Sequence, residues 1–155
     1  MGEKMSGESK LKICLFSLSK KDPTFRSSVS IKGPIEWLNS KRKPPHRYYF
    51  RSSAPDCLAS GSKILFSFEN QIFGEATLKE GVQALTPQDV KLPETFACFY
   101  RKFVTIDPES IEIYKFHPTK NELLEYDAFE GYQFSQLFSY LNIEQYKQIL
   151  RLAKR

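Results

Sequence analysis

Five cationic residues surround a short aromatic run between positions 41 and 51 of this 155-residue chain. The cations are Lys41, Arg42, Lys43, Arg47 and Arg51. The rings are Tyr48, Tyr49 and Phe50. Cationic side chains neutralise phosphates and aromatic rings stack on bases, so this pattern predicts contact with a nucleic acid. The alternative from the same residues is a solvated basic loop beside a core strand.

A second group of rings flanks a cationic pair in the run Phe99-Tyr-Arg-Lys-Phe103. Side chains alternate between the two faces of a strand, so Phe99 and Arg101 would share one face and Tyr100 would lie on the other. Phe99 and Tyr100 are candidates for lining a pocket, and Arg101 is a candidate phosphate contact. Phe103 is expected in the core.

Trp37 is the only tryptophan in the sequence. A large ring near a basic run can form the wall of a base-binding cage, and it can also anchor the core, which is the commoner role. A core role predicts a large loss of stability on truncation, whereas a cage role predicts a loss of base recognition.

The sequence lacks the short motifs that carry common catalytic chemistry. It has no G-x-G-x-x-G, no Walker loop, no G-x-S-x-G and no H-E-x-x-H. His46 lies in the basic run and His117 precedes Pro118 in a predicted turn, so neither is paired with a nucleophile. The three cysteines are widely spaced, which argues against a zinc site and a disulfide framework. We therefore assign no catalytic residue, no metal ligand and no cofactor.

The positive charge is concentrated in the first part of the chain. Residues 1–60 carry 12 Lys and Arg against 5 Asp and Glu, whereas residues 61–155 carry 11 against 13. An asymmetry of this kind favours one surface that faces a polyanion.

The length predicts a single domain over residues 11–155, preceded by a polar, disordered leader at 1–10. The leader has no apolar segment typical of a signal peptide, and no apolar run approaches membrane-spanning length. We expect a soluble cytoplasmic protein with no membrane partner. The charged ending at 152–155 would suit a boundary before a further domain of a longer chain.

Residues 61–78 form the element that has to position these groups. Two apolar runs, at 64–68 and 72–78, predict strands joined by a tight turn at Glu69 and Asn70. Apolar side chains on both faces predict a hairpin buried on both sides of a small curved sheet. This turn would pair Phe66 with Phe73 and Leu65 with Gly74. A glycine within a strand also indicates a bulge, a barrel corner or a close backbone approach.

Further strands are predicted at 11–19, 47–51, 96–104 and 110–116, and a short helical segment at 34–39. From Gly131 the apolar spacing becomes helical, which predicts one helix through Phe134 and Leu141 and a second one that Asn142 caps. Strands first and helices last, without βαβ alternation, predict an α+β fold on a curved or barrel-like sheet.

The central hairpin also resembles a known family. Its residues are Leu58-Ala-Ser-Gly-Ser-Lys-Ile-Leu-Phe-Ser-Phe, followed by Gln71-Ile-Phe-Gly-Glu-Ala-Thr-Leu. This is similar to a signature of the PUA-like superfamily, which includes the ASCH, EVE and YTH domains. The family pattern has an acidic residue where this chain has Ser62. The ending at 138–150 looks like the last helix of EVE-like domains in modification-dependent restriction systems.

The resemblance implies a small curved β-barrel flanked by helices, with a helical C-terminus. It further implies a nucleic-acid-binding module that takes a flipped base, plain or methylated, from DNA or RNA into an aromatic pocket. The positions that match such a pocket are Ser17, Ser19, Trp37, Tyr48 and Tyr49. The chain would then be the DNA-targeting part of a larger restriction or regulatory protein, without catalysis of its own.

Three alternatives remain open from the sequence. The first is an ASCH-like RNA-binding protein. The second, an ASCH-type amidohydrolase acting on acylated nucleosides, would use a lysine and an acidic residue, for which Lys63 and Glu75 are the nearest candidates. The third is a protein-interaction domain without a polyanion partner, in which charge reversal at 41–47 would leave function unchanged.

Overall fold

The computed structural model describes residues 12–50, 58–92, 100–134 and 138–155, and they form one mixed set of strands and helices. The strands are β1 (Ile13–Leu18), β2 (Arg47–Phe50), β3 (Lys63–Phe68), β4 (Gln71–Ala84), β5 (Lys102–Ile106), β6 (Glu112–Ile113) and β7 (Phe138–Leu141). The α-helices are α1 (Lys32–Ser40), α2 (Lys120–Leu123) and α3 (Ile143–Ala153). No helix in these ranges is long and apolar enough to span a bilayer.

The strands form one sheet in the order β2-β5-β4-β3-β1-β7, with β6 paired to β4. Only β1 and β3 run parallel among these pairs. β4 pairs with β3 over its first half and with β5 over its second half, where the register shifts twice. Such shifts bend a strand, so the sheet curves along β4. The predicted α+β class is confirmed. Within the described ranges β2 and β7 are edge strands, and closure into a barrel stays a prediction.

The central hairpin forms where the sequence predicts it. Glu69 and Asn70 both have positive φ, of 51° and 64°, as the two central residues of a type I′ turn require. Alternate side chains of β3 enter two different cores. Phe66 packs in a cluster with Cys14 and Leu38, whereas Leu65 packs in a cluster with Ile149. The prediction that both faces of the hairpin are buried is confirmed.

The predicted pairing within the hairpin is wrong by one residue. A register shift between Phe66 and Ser67 pairs Ser67 with Ile72, and then Phe66 with Gly74 instead of Phe73. Leu65 consequently pairs with Glu75 and not with Gly74. Phe73 is the extra residue of a bulge, and a two-residue turn does not by itself predict where a bulge shifts the register.

Gly74 lies at this bulge because two neighbours approach its backbone closely. A Cβ atom there would lie 2.8 Å from the carbonyl oxygen of Glu112 and 2.9 Å from Cδ2 of Leu38. The close backbone approach inferred from this glycine is confirmed. It lets β6 pair with β4 while α1 packs over the same point.

The C-terminal helix α3 follows its predicted cap. The Asn142 side chain accepts from the Gln145 backbone N–H, and the Gln145 side chain accepts from the Asn142 N–H, each at 2.8 Å. This reciprocal capping box satisfies two donors that a helix N-terminus leaves unpaired.

The helix predicted over 131–141 is wrong, because residues 138–141 form β7 antiparallel to β1. The sequence Phe-Ser-Tyr-Leu fits both a helical stripe and a strand alternation. The open edge of β1 decides between them, since its backbone groups need partners there.

The remaining strand predictions hold in part. β2 falls within 47–51, and the helical segment at 34–39 lies inside α1. The strand predicted at 110–116 is reduced to Glu112–Ile113, although Tyr114 still donates its backbone N–H to Phe73 O of β4. The leader at 1–10 and the first half of the 96–104 prediction lie outside the described residues.

Replacing Gly74 with alanine tests this junction. We expect Gly74→Ala to lower the free energy of unfolding by about 1–3 kcal/mol, because a buried Cβ at these distances forces β6 or Leu38 to move. Urea denaturation measures the change, and Val29→Ala, at a side chain that is 91% exposed, serves as the control. A Gly74→Ala protein as stable as the control would contradict the close approach.

Candidate functional site

A cavity of about 240 Å³ opens between the first loop, α1 and β2. The described residues that line it are Asp22, Thr24, Phe25, Trp37, Lys41, Tyr48, Tyr49 and Tyr100. Five of these eight side chains are aromatic. A cavity of about 150 Å³ already holds a benzene molecule, so this one has room for a single flat ring system.

Four separate segments converge on this cavity. The loop after β1 tightens into a 3-10 turn, which Asp22 caps by accepting the Thr24 N–H at 2.9 Å. Trp37 comes from α1, and Lys41 follows at its end. β2 supplies Tyr48 and Tyr49, and its pairing with β5 brings in Tyr100 from the segment before that strand.

The aromatic walls are held by contacts between rings. Trp37 makes edge-on contacts with Phe25, Tyr48 and Phe66, with centroids 5.1–5.5 Å apart. Tyr49 and Tyr100 stack at 5.9 Å with their planes 21° apart. Pairs in these geometries attract beyond their buried area, so these contacts stabilise the walls in the absence of a ligand.

Hydrogen bonds to Asp22 hold the polar side of the cavity. Its Oδ1 accepts from the Tyr100 hydroxyl as well as from the Thr24 N–H, and the Tyr100 hydroxyl also lies 2.6 Å from Thr24 Oγ1. Burial and the bond to the Asp22 carboxylate raise the pKa of Tyr100 well above its usual value. This phenol therefore stays neutral and keeps the carboxylate oriented.

The Tyr48 hydroxyl has no hydrogen-bond partner in the part of the chain that the structure describes. Burial raises the pKa of Tyr48 well above its usual value, and the negative charge of Asp22 adds to the effect. The phenol is thus close enough to sense Asp22 and remains protonated. Its O–H is available to a molecule bound in the cavity.

Lys41 contributes a cation to the same walls. Its Nζ lies 5.3 Å from the ring centroid of Trp37 and 5.8 Å from that of Tyr49. Both distances fall within the range of a cation–π attraction. The predicted phosphate contact at Lys41 is therefore part of the cavity itself.

The other predicted phosphate contacts differ in how they are held. Lys43 and Arg101 are exposed, and Arg42 is exposed with its Nε donating to Asn39 Oδ1 at 3.0 Å.

Arg47 pairs with Asp89 at 3.0 Å and lies over the Phe103 ring. Hydrogen bonds from Thr86 and then from Arg47 lower the pKa of Asp89 to about 2, so this pair stays charged at neutral pH. Arg51 lies outside the described residues.

The structure brings together four of the predicted pocket residues, namely Trp37, Tyr48, Tyr49 and Tyr100. Ser17 and Ser19 are not among the described residues that line the cavity. Ser17 pairs with Ser67 within the sheet, and the Ser19 hydroxyl accepts from the Lys21 N–H at 3.1 Å, before the chain reaches the cavity. Phe99 lies outside the described residues.

Sequence reasoning missed Asp22, Thr24 and Phe25. The signal was present, because an aspartate directly before a proline is typical of a capped turn. Trp37 was predicted either to anchor the core or to line a pocket, and it does both. It is half-buried against core rings, and it also lines the cavity.

Lys63 and Glu75 are also brought together, away from this cavity. Lys63 Nζ lies 2.8 Å from Glu75 Oε2, and Glu75 is buried. The Tyr114 and Tyr146 hydroxyls donate to the same carboxylate at 2.7–3.0 Å. Both carboxylate oxygens of Glu75 therefore accept hydrogen bonds from protein donors.

Comparisons with known proteins bear on the fold alone. Neither a family model nor a curated protein sequence matches the chain. A hypothetical protein from Leishmania major has a similar structure, with a TM-score of 0.61 at 13% identity over 92% of this chain and 94% of that one. A protein from Rhodopseudomonas palustris, solved by NMR, gives 0.59 at 11% identity over 92% and 93%. A YTH domain from Zygosaccharomyces rouxii, in complex with N6-methyladenosine RNA, gives 0.49 at 14% identity over 94% and 85%.

The bond network around Asp22 predicts a pH dependence of stability. The raised pKa of Tyr100 means that the contribution of its hydroxyl to the free energy of unfolding is fully present below the ordinary phenol pKa of 10.0. This contribution is lost as the pH rises through the folded-state pKa. We expect Tyr100→Phe to be less stable than the parent chain at about pH 8, and the two urea-unfolding free energies to converge above about pH 10. A gap that stays constant across this range would contradict the assignment.

Proposed function

We propose that this chain is a nucleic-acid-binding module that takes one extruded base, plain or modified, into the aromatic cavity. The observation that carries the proposal is the cavity itself, in which five aromatic side chains meet beside exposed cations. The PUA-like resemblance of the central hairpin supports it. The chain acts by recognition and not by catalysis.

The energetics of base extrusion suit this site. Taking a base out of its stack costs a few kcal/mol. Stacking on protein rings returns about 1–3 kcal/mol per base. The Tyr48 hydroxyl and the Asp22 carboxylate then offer a donor and an acceptor to the base edge, so that the base is selected as well as held.

The surrounding cations supply affinity without reading sequence. Phosphate contacts fix the position of a strand and carry no base information. Lys43, Arg42 and Arg101 are exposed enough to serve. Arg47 serves less readily, because its ion pair with Asp89 has to be shared with the phosphate.

The finer parts of the proposal come from the resemblance. An EVE-like assignment would make the ligand DNA with a methylated base and would make this chain the targeting part of a larger restriction or regulatory protein. An ASCH-like RNA-binding protein is the alternative in the same class. Binding to matched DNA and RNA strands distinguishes the two.

The close pair of Lys63 and Glu75 favours one second candidate, an amidohydrolase that acts on acylated nucleosides. Its test is turnover of an acylated nucleoside, which Lys63→Ala should abolish. We place the pair in a structural role instead, because the Glu75 carboxylate already accepts from Lys63, Tyr114 and Tyr146 and has little capacity left for a reacting group.

Removing one hydroxyl tests the cavity. Tyr48→Phe should weaken binding of a base-containing strand by about three- to tenfold, the size of one lost hydrogen bond, and should leave the melting temperature unchanged because no bond to a described residue is lost. Quenching of Trp37 fluorescence measures binding, since this is the only tryptophan. Tyr126→Phe, at an exposed ring, is the matched control. Unchanged affinity in Tyr48→Phe would place the base elsewhere.

Removing exposed cations tests the phosphate contacts. The double variant Lys43→Ala with Arg101→Ala should weaken plain and modified substrates equally and reduce the slope of log affinity against log salt by about two. The double variant Lys79→Ala with Lys147→Ala removes the same charge from other exposed positions. The proposal fails if both double variants change the slope alike, or if the parent chain binds no DNA or RNA at low salt.

A further inference from the structure

The cavity walls already accommodate a positive charge. The Lys41 ammonium lies within 6 Å of two wall rings, those of Trp37 and Tyr49. The face of an aromatic ring is negative, and tryptophan attracts cations most strongly. These walls are therefore suited to a flat ligand that carries positive charge, beyond what stacking alone requires.

A carboxylate strengthens this preference. Only Oδ1 of Asp22 is used by Thr24 and Tyr100, and its Oδ2 has no hydrogen bond to another described residue. Charges interact more strongly in a partly desolvated cavity than in water. A cation bound between the rings would thus meet an acceptor of opposite charge.

We propose that the base taken into this cavity is one that methylation of a ring nitrogen has made cationic, such as 1-methyladenine, 3-methylcytosine or 7-methylguanine. The inference rests on the proposed function and narrows its ligand. Stacking, cation–π attraction and attraction to the Asp22 charge then all stabilise a bound cationic base. A neutral base is stabilised mainly by stacking.

A base that stacks on the ring faces of Trp37 and Tyr49 takes the place of the Lys41 ammonium there. A neutral base would forfeit the cation–π attraction that the ammonium gives up, and a cationic base restores it. The phosphate of the same nucleotide offers Lys41 a new partner, next to the exposed Arg42 and Lys43. The exchange keeps one cation on the rings and one beside the backbone.

A methylated lysine in a peptide carries comparable charge, and aromatic cages bind such groups. The surroundings disfavour it here. Arg42, Lys43 and Arg101 are exposed cations that would repel a lysine-rich tail, but they attract a phosphate backbone. Tyr49 and Tyr100, which stack on each other, also line the cavity, and aromatic side chains stack on bases.

Two isomeric methylated bases separate the effect of the charge on the base from the effect of the methyl group. Short, otherwise identical oligonucleotides carry either 1-methyladenine, which is cationic at neutral pH, or N6-methyladenine, which is neutral. We expect the strand with 1-methyladenine to quench Trp37 fluorescence with about tenfold higher affinity. Backbone contacts are the same in both strands and cancel in the ratio.

Two variants show whether Asp22 sets this ratio. Asp22→Asn should lower the ratio by removing the attracting charge. Lys32→Gln, an exposed lysine of α1, is the control for charge loss and should leave the ratio unchanged.

The outcomes separate this inference from the proposed function. Equal affinity for the two strands, with binding weakened by Tyr48→Phe, would overturn the charge preference and leave base binding in place. Failure of both strands to bind would overturn both. Tighter binding of a trimethyl-lysine peptide than of either strand would also overturn both.

Discussion

The buried carboxylate of Glu75 is the interaction on which the rest of the structure depends. Lys63 of β3, Tyr114 after β6 and Tyr146 of α3 all donate to it, so one side chain joins the middle of the sheet to the C-terminal helix. A buried charge is tolerated only when its partners are all present, and loss of one partner typically costs about 3–5 kcal/mol. Next to it, Gly74 lets β6 and α1 close over β4. These contacts fix β4 on both sides.

The position of the aromatic cavity depends on β4 through the strands that pair beyond it. β4 pairs with β5, and β5 pairs with β2, which carries Tyr48 and Tyr49. The first loop and α1 then supply Asp22 and Trp37 from the other side. The cavity is thus built on a sheet edge, while Arg42, Lys43 and Arg101 around it are exposed. This division suits a site in which ring positions select the ligand and the cations only attract it.

Patterns of short range could be predicted from the sequence, and contacts of long range could not. The type I′ turn at Glu69 and Asn70 and the cap at Asn142 depend on a few neighbouring residues. The bulge at Phe73 depends on how β6 and α1 approach Gly74, and β7 forms because β1 has an open edge. For the site, the rings could be named from their types. The Asp22 turn could not be placed beside them, since 78 positions separate it from Tyr100.

The proposed function requires that a base enters between these rings while the cations hold its backbone. Nuclear magnetic resonance of the protein with a short oligonucleotide detects such an arrangement through contacts between base protons and side-chain protons. We expect contacts from one base to the rings of Trp37 and Tyr49, together with shifts of Lys43 and Arg101 signals. Shifts confined to those cations, with the ring signals of the cavity unmoved, would contradict it.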